Sequence, residues 1–320
     1  MGTDEDIPME LIRGSHNLAA RHYGCVATIG NFDGVHLGHQ AVIRRLREAA
    51  AEAGLPATLV TFEPHPREHF QPAAAPARIT GLRDKLRALS EAGVDRVLCL
   101  EFGARLASQS AESFVEDVLL ERLGVHYLMV GDDFRFGHRR RGDYSLLERY
   151  AASRGFRLTR MPTVRRDGIR VSSTAVREAL TQGDLDAAAR LLGRRYRISG
   201  RVARGRALGR QLGWPTINLV LHHGRPAVSG IFAVAVHGVG SEPHPGVANV
   251  GNRPTVAGRR TLLEVHLLDF EGDLYGRHVS VEFQARRRDE LHFDSLEALS
   301  REIDRDAAWA RAYFAAGAGT

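Results

Sequence analysis

Two periodicities alternate through the first half of the chain, and this limits the fold more than any single motif. Apolar runs at residues 24–30, 57–62, 94–102 and 126–131 are separated by helical patterns at 39–53, 82–92, 111–123 and 144–153. In the first helical segment Val42, Ile43, Leu46, Ala49 and Ala50 recur at helical spacing. Strands that are apolar on both faces and alternate with helices predict an α/β domain, a parallel sheet with helices on both sides. In such folds ligands sit beyond the carboxyl ends of the strands. The pattern changes near 185–193. Short strand patterns follow at 196–202, 216–221, 231–237, 246–250, 262–270 and 278–285, with Gly- and Pro-rich turns and no helix between them. They predict a small antiparallel β-barrel. A last helix is expected over 295–314, with Leu296, Leu299, Ile303, Ala307, Ala310 and Phe314 on the face that packs against the barrel. The expected domains are 1–187 and 188–320, and the Pro/Ala-rich stretch 72–77 reads as a mobile loop.

The first apolar run leads straight into Gly30-Asn31-Phe32-Asp33-Gly34-Val35-His36-Leu37-Gly38-His39 and then a helix. Free amides and the macrodipole make a helix N-terminus attractive to anions. Gly34 and Gly38 let a ligand approach the backbone. His36 and His39 can donate to phosphate oxygens and stabilise charge that develops at phosphorus. The competing readings are a plain strand–turn–helix with two exposed histidines, and a metal pair lacking further ligands. Phe62, Pro64, His65 and Pro66 lie in TFEPHP at the end of the second run, where two prolines rigidify a loop beside an apolar ring. Asp133, Phe134 and Phe136 occupy GDDFRFG at the end of the fourth. In VSSTAVR, Ser173 and Thr174 open a helix and Arg177 follows one turn later, able to fork onto phosphate. The alternative there is an ordinary helix cap.

The second half carries GRVARGRALGRQLGWPTIN at 200–218. Gly205, Gly209, Arg210 and Gly213 suit a loop that wraps a polyphosphate with its amides, although a hairpin connection would read the same way. Thr216 and Asn218 lie two apart on a strand, so their oxygens face the same way, and neutral oxygens fit Mg²⁺ held mainly by substrate phosphates and water. Glu264 interrupts a strongly apolar strand, where a carboxylate is costly unless it is exposed or functional.

Composition closes off several classes. No segment approaches the roughly 18 consecutive apolar residues of a membrane span, and the start, with Asp4, Glu5 and Asp6, lacks the basic-then-apolar form of a secretory signal. A cytoplasmic protein is expected. Cys25 and Cys99 sit singly in apolar runs, which argues against a disulfide framework or zinc site. The net charge of +6 comes almost wholly from arginine, with Lys85 the one lysine. The arginines are scattered and not interleaved with aromatics, so a nucleic-acid surface is not expected. No GxxxxGK[ST] loop or kinase-type strand lysine is present. Nothing in the sequence specifies an oligomeric state.

The string ATIGNFDGVHLGHQ resembles the HxGH nucleotidyltransferases, and within them the N-terminal module of bacterial bifunctional riboflavin kinase/FMN adenylyltransferases. TFEPHP, GDDFRFG and VSSTAVR are similar to that family's flavin-side, flavin/nucleotide and SSTxxR segments. In the second half Pro215-Thr216-Ile217-Asn218, ANVGNRPT at 248–255, DLYG at 273–276 and RRDELHF at 287–293 resemble riboflavin kinase, with isoleucine in place of the usual alanine of PTAN. The resemblance spans residues 26–314. It implies a Rossmann-like nucleotidyltransferase domain followed by a riboflavin kinase barrel, with riboflavin, FMN, FAD and ATP as substrates and products and Mg²⁺ as cofactor. It further implies an adenylyltransferase ATP site of Gly30, Asn31, Gly34, His36, His39, Ser173, Thr174 and Arg177, beside a flavin site of Phe62, Pro64, His65, Pro66, Asp133 and Phe134. In the barrel, the resemblance makes Glu264 the catalytic base, places Arg288 near the flavin, assigns ATP to Gly205, Gly209, Arg210, Gly213, Thr216 and Asn218, and gives the metal to the last two.

Overall fold

The computed structural model describes residues 9–204, 214–221, 225–255 and 258–317. Contacts divide the chain into two units, one of the described residues up to Pro76 with Lys85–Ser172, the other of Ala77–Asp84 with the residues from Ser173 on.

The first unit holds a six-stranded sheet of β1 (Glu10–Arg13), β2 (Cys25–Ile29), β3 (Ala57–Glu63), β4 (Arg96–Glu101), β5 (Val125–Gly131) and β6 (Arg157–Met161), in the order β1-β4-β3-β2-β5-β6. All five pairings are parallel. The connecting helices are α1 (Leu37–Ala53), α2 (Pro66–Phe70), α3 (Leu82–Glu91), α4 (Ala104–Ser108), α5 (Ala111–Ser113, continued in wider turns through Arg122) and α6 (Tyr144–Arg154). Strand β2 is fully buried at the sheet's centre. One sheet face packs Ala27, Leu98, Leu128 and Val130 against Phe114, Leu119 and Leu147, and the other packs Val26, Ala57 and Met129 against Leu46 and Ala49 of α1. Ile43, Leu46, Ala49 and Ala50 form the buried face of α1 while Val42 is half-buried beside it, and Gly54 ends the helix in the left-handed region. Each fully buried leucine contributes about 2 kcal/mol.

Two strands carry no apolar run. The edge strand β1 is tied down by Glu10, whose carboxylate accepts from Arg96 Nε at 3.0 Å and lies 2.9 Å from His22 Nε2. At the opposite edge Arg157 of β6 lies 4.6 Å over the Tyr127 ring. A short hairpin follows, β7 (Arg165–Arg166) with β8 (Ile169–Arg170). The segment read as a mobile loop contains one helical turn at Pro72–Ala74. Both cysteines are free and buried, and burial pushes the Cys25 thiol up to about 11.

The second unit begins with α7 (Ser173–Gln182) and α8 (Leu185–Leu192), whose buried residues include Leu180, Ala188 and Leu192. Strands β9 (Arg197–Ala203), β10 (Thr216–Val220), β11 (Gly230–His237), β12 (His244–Thr255), β13 (Gly258–Leu267) and β14 (His278–Arg288) close into an antiparallel barrel in the order β10-β13-β12-β11-β14-β9. Helix α9 (Leu296–Ala315) is capped by Ser295, whose hydroxyl accepts from Ala298 N at 3.1 Å. Ala307 and Ala310 seat it on Ala233 and Leu268 of the barrel. The packing stripe is shorter than the sequence pattern implied. Leu296 is 55% exposed because the first turn of α9 extends beyond the contact.

Candidate active site

In the first unit, β3 lies on one side of β2 and β5 on the other, which makes the end of β2 the point where the connections diverge. The chain leaves β2 through Gly30, whose N donates to Val60 O at 3.0 Å, and enters a tight loop. There Phe32 (φ 48°), Gly34 (φ 88°) and Val35 (φ 42°) all adopt left-handed backbone. For the two non-glycine residues this costs about 1–3 kcal/mol each. Thr61 Oγ1 donating to Asn31 O at 3.3 Å and Gln40 Nε2 donating to Val35 O at 2.9 Å pin the loop. Asn31 Oδ1 is buried with no hydrogen-bond partner.

His36 caps α1, its Nδ1 accepting from His39 N at 3.3 Å. A ring that accepts at Nδ1 carries its proton, when neutral, on Nε2. The ring is 5% exposed and stacks on His39 with centroids 3.6 Å apart and planes at 16°. Gly38 is dictated by crowding, since a Cβ there would lie 3.1 Å from the His36 ring and 3.3 Å from Val171 O. The two histidines are thus a packed pair at a helix N-terminus rather than exposed groups.

Phe62 meets Phe102 edge-on at 5.8 Å. His69 and Phe70 pack on the same Phe102 ring at 5.8 and 5.6 Å, and Phe70 is 61% exposed. These three aromatics escaped the sequence reading, because no periodicity links the end of β4 to α2. His65 caps α2 and Pro66 opens it, after a cis Glu63–Pro64 peptide. At the end of β5, Phe134 stacks on Phe136 at 5.3 Å, and Asp133 accepts from Arg170 Nη2 at 3.2 Å. Phe62, the His36 loop and Phe134 therefore lie at the carboxyl ends of three adjacent strands.

Ser173 and Thr174 open α7, and Arg177 Nε donates to Ala77 O at 2.6 Å. These residues belong to the second unit.

In the barrel, strand register brings the predicted residues into rows. Asn218 of β10 pairs with Glu264 of β13, Glu264 with Asn249 of β12, Asn249 with Ile231 of β11, and Ile231 with Arg288 of β14. Directly opposed residues share a face. Leu263, Val265, Ala248 and Val250 are fully buried inside the barrel, so this row lies on its outer wall. Thr216 occupies the neighbouring row opposite His266, whose Nδ1 donates to Pro215 O at 2.9 Å. Burial holds the His266 pKa below its ordinary value. Arg288 Nη2 is 2.5 Å from Asp306 Oδ2 of α9, and its Nε is 3.5 Å from Glu302 Oε1. Asp306 is 3% exposed, and burial raises its pKa despite the Arg288 hydrogen bond. Gly205, Gly209, Arg210 and Gly213 lie outside the described residues.

Among the described residues no group of three or more His, Cys, Asp or Glu could hold a metal ion. Thr216 and Asn218, two apart on β10, offer neutral oxygens of the kind that suits Mg²⁺ bound chiefly through a substrate. No helix among the described residues is long and apolar enough to cross a membrane.

A family model described as FAD synthetase matches residues 18–175, and one described as riboflavin kinase matches 192–314. A bifunctional riboflavin kinase/FMN adenylyltransferase of Pseudomonas fluorescens is 53% identical over 97% of this chain and 99% of its own length. The protein of the same description from Escherichia coli K12 is 50% identical over 96% and 98%. The crystal structure of a macrolide-efflux protein from Streptococcus pneumoniae matches with a TM-score of 0.75 at 28% identity, over 95% of this chain and 99% of that one. Motifs, fold and relatives agree along nearly the whole length, and the chain belongs to the bifunctional riboflavin kinase/FMN adenylyltransferase family.

Proposed function

We infer that the chain phosphorylates riboflavin with ATP to give FMN and ADP, then transfers AMP from a second ATP to FMN to give FAD and pyrophosphate. What supports this reading is that one chain carries a stacked histidine pair at a helix N-terminus and, on a barrel wall, the Glu264 carboxylate flanked in strand register by Asn218 and Asn249.

The kinase step needs a base, because a hydroxyl must lose its proton as it attacks. Glu264 is that base. It takes the proton of the terminal ribityl hydroxyl while the oxygen bonds to the γ-phosphorus and ADP departs. Thr216 and Asn218 would hold Mg²⁺, which when bound neutralises phosphate charge. Gly205, Gly209, Arg210 and Gly213 bind the ATP phosphates, and Arg288, fixed by Asp306, borders the flavin.

The adenylyl step needs no base, because the FMN phosphate is already anionic. Its oxygen attacks the α-phosphorus of ATP and pyrophosphate leaves. Catalysis is positioning and charge stabilisation. His36 and His39 donate to the phosphates, Gly30, Asn31 and Gly34 line their approach, and Ser173, Thr174 and Arg177 contribute hydroxyls and positive charge. Phe62, Pro64, His65, Pro66, Asp133 and Phe134 bind the flavin, with the exposed Phe70 ring extending that aromatic wall. The functional division falls at 1–187 and 188–320. We expect the enzyme to act in the cytoplasm.

The test is a time course of full-length protein with riboflavin, ATP and Mg²⁺, with the flavins separated by chromatography. FMN rises first and FAD follows. FMN that never proceeds to FAD would remove the second activity, and unconverted riboflavin would remove the first.

A further inference from the structure

We propose that Asn249 binds substrate in the barrel site, its side-chain oxygen accepting a hydrogen bond from an internal hydroxyl of the ribityl chain. This rests on the riboflavin kinase reading above.

Asn249 lies directly across from Glu264 in the β12–β13 ladder, with apolar Ile231 on its other side. Its neighbours Ala248 and Val250 point into the barrel core at 0% exposure, so the amide projects onto the outer wall beside Glu264. Asn249 Oδ1 is buried and has no hydrogen-bond partner. A buried acceptor left unmatched costs about 1–3 kcal/mol, and such atoms are rare enough to require a reason. An apolar residue would fill this wall position without that cost.

The chemistry of the atom narrows its partner. An amide oxygen only accepts, so the missing group is a donor. Phosphate oxygens of ATP offer no proton at neutral pH. Besides the Glu264 carboxylate opposite, a second carboxylate lies nearby. At Gly251, two residues along the same face, a Cβ would fall 1.8 Å from Glu290 Oε1. A neutral acceptor set among carboxylates suits a polyol. The ribityl chain ends at Glu264, which takes its terminal proton. Directly opposed side chains have Cβ atoms about 5 Å apart, so an internal hydroxyl of that same chain comes within reach of Asn249. The residue would then hold the chain in the register that presents its terminal hydroxyl to the base, and would discriminate by the presence of one internal hydroxyl.

The experiment compares riboflavin with three analogues, each lacking one internal ribityl hydroxyl, using the full-length chain and its Asn249→Ala variant. The readouts are KM and kcat for ATP-dependent phosphorylation, and conversion of supplied FMN to FAD. In the unsubstituted chain one analogue is expected to lose about tenfold in kcat/KM. Asn249→Ala should lose about as much with riboflavin, mainly in KM, and show no further loss with that analogue, while FMN conversion is unchanged. Asn249→Ser, polar but shorter, carries the same comparison if the alanine variant melts early. Equal analogue penalties in the unsubstituted chain and the variants would overturn the inference alone. So would a variant defect confined to the ATP or Mg²⁺ requirement, which would assign Asn249 to the phosphate end. No riboflavin phosphorylation by the unsubstituted chain would overturn the kinase reading and the inference with it.

Discussion

At His36 the nitrogen that caps α1 also fixes what the ring can do. Nδ1 accepts from His39 N, so the neutral ring carries its proton on Nε2, and stacking on His39 holds the ring plane. A donor held this way needs no reorganisation as charge builds on phosphate, and removing one such donor costs about 10²–10³ in rate. The double substitution His36→Ala with His39→Ala is expected to lower FAD formation at least that much and leave FMN formation nearly intact. Equal loss of both activities in steady-state assays would contradict two separate sites. Glu264 belongs to the other chemistry, where a general base contributes about 10²–10⁴-fold. Glu264→Ala is expected to reduce riboflavin phosphorylation by that order while supplied FMN still becomes FAD. Normal FMN production would exclude it as the base.

At the scale of elements, the two sheet edges show where local sequence loses its hold. Strand β1 has no apolar run, and beside its ladder with β4 and the buried Ile12 it is held by Glu10, shared by Arg96, His22 and Arg21. Burial raises the Glu10 pKa, but the His22 and Arg96 hydrogen bonds outweigh this and leave it below the ordinary value of 4.5. A carboxyl depressed on folding stabilises the fold above its unfolded pKa and loses that contribution as pH falls through the folded one. Glu10→Gln is therefore expected to melt earlier than the unsubstituted chain at neutral pH. The gap should close below pH 4.5, and a gap independent of pH in thermal melts would assign the effect to packing. Helix α1, by contrast, was legible, because Ile43, Leu46, Ala49 and Ala50 repeat at its own period and all four are buried. Leu296 marks the limit of that reasoning. It continues the apolar period of α9, yet it stands 55% exposed.

For the whole molecule, the two chemistries share one flavin and need not share a cavity. FMN is expected to leave the kinase site and rebind at the adenylyltransferase site. Mixing the His36→Ala/His39→Ala variant with the Glu264→Ala variant should then restore conversion of riboflavin to FAD, with free FMN as the intermediate. FAD production no greater in the mixture than in the variants assayed apart would argue for direct transfer within one chain.

The sequence by itself determined the two architectures and the chemical segments, because period, turn residues and short contiguous motifs are local properties that each segment carries alone. GNFDGVHLGH announces a strand–loop–helix junction wherever it folds. Tertiary structure decided which residues became neighbours across segments. Closure of the barrel set Asn218, Glu264 and Asn249 side by side, and parallel ordering of the sheet put Phe62 and Phe134 on either side of the His36 loop. Packing also gathered Phe70 and Phe102 around one wall and gave Arg288 its partner in Asp306. Those relations depend on strand register and on contacts between residues distant along the chain, and no local pattern in the sequence encodes them.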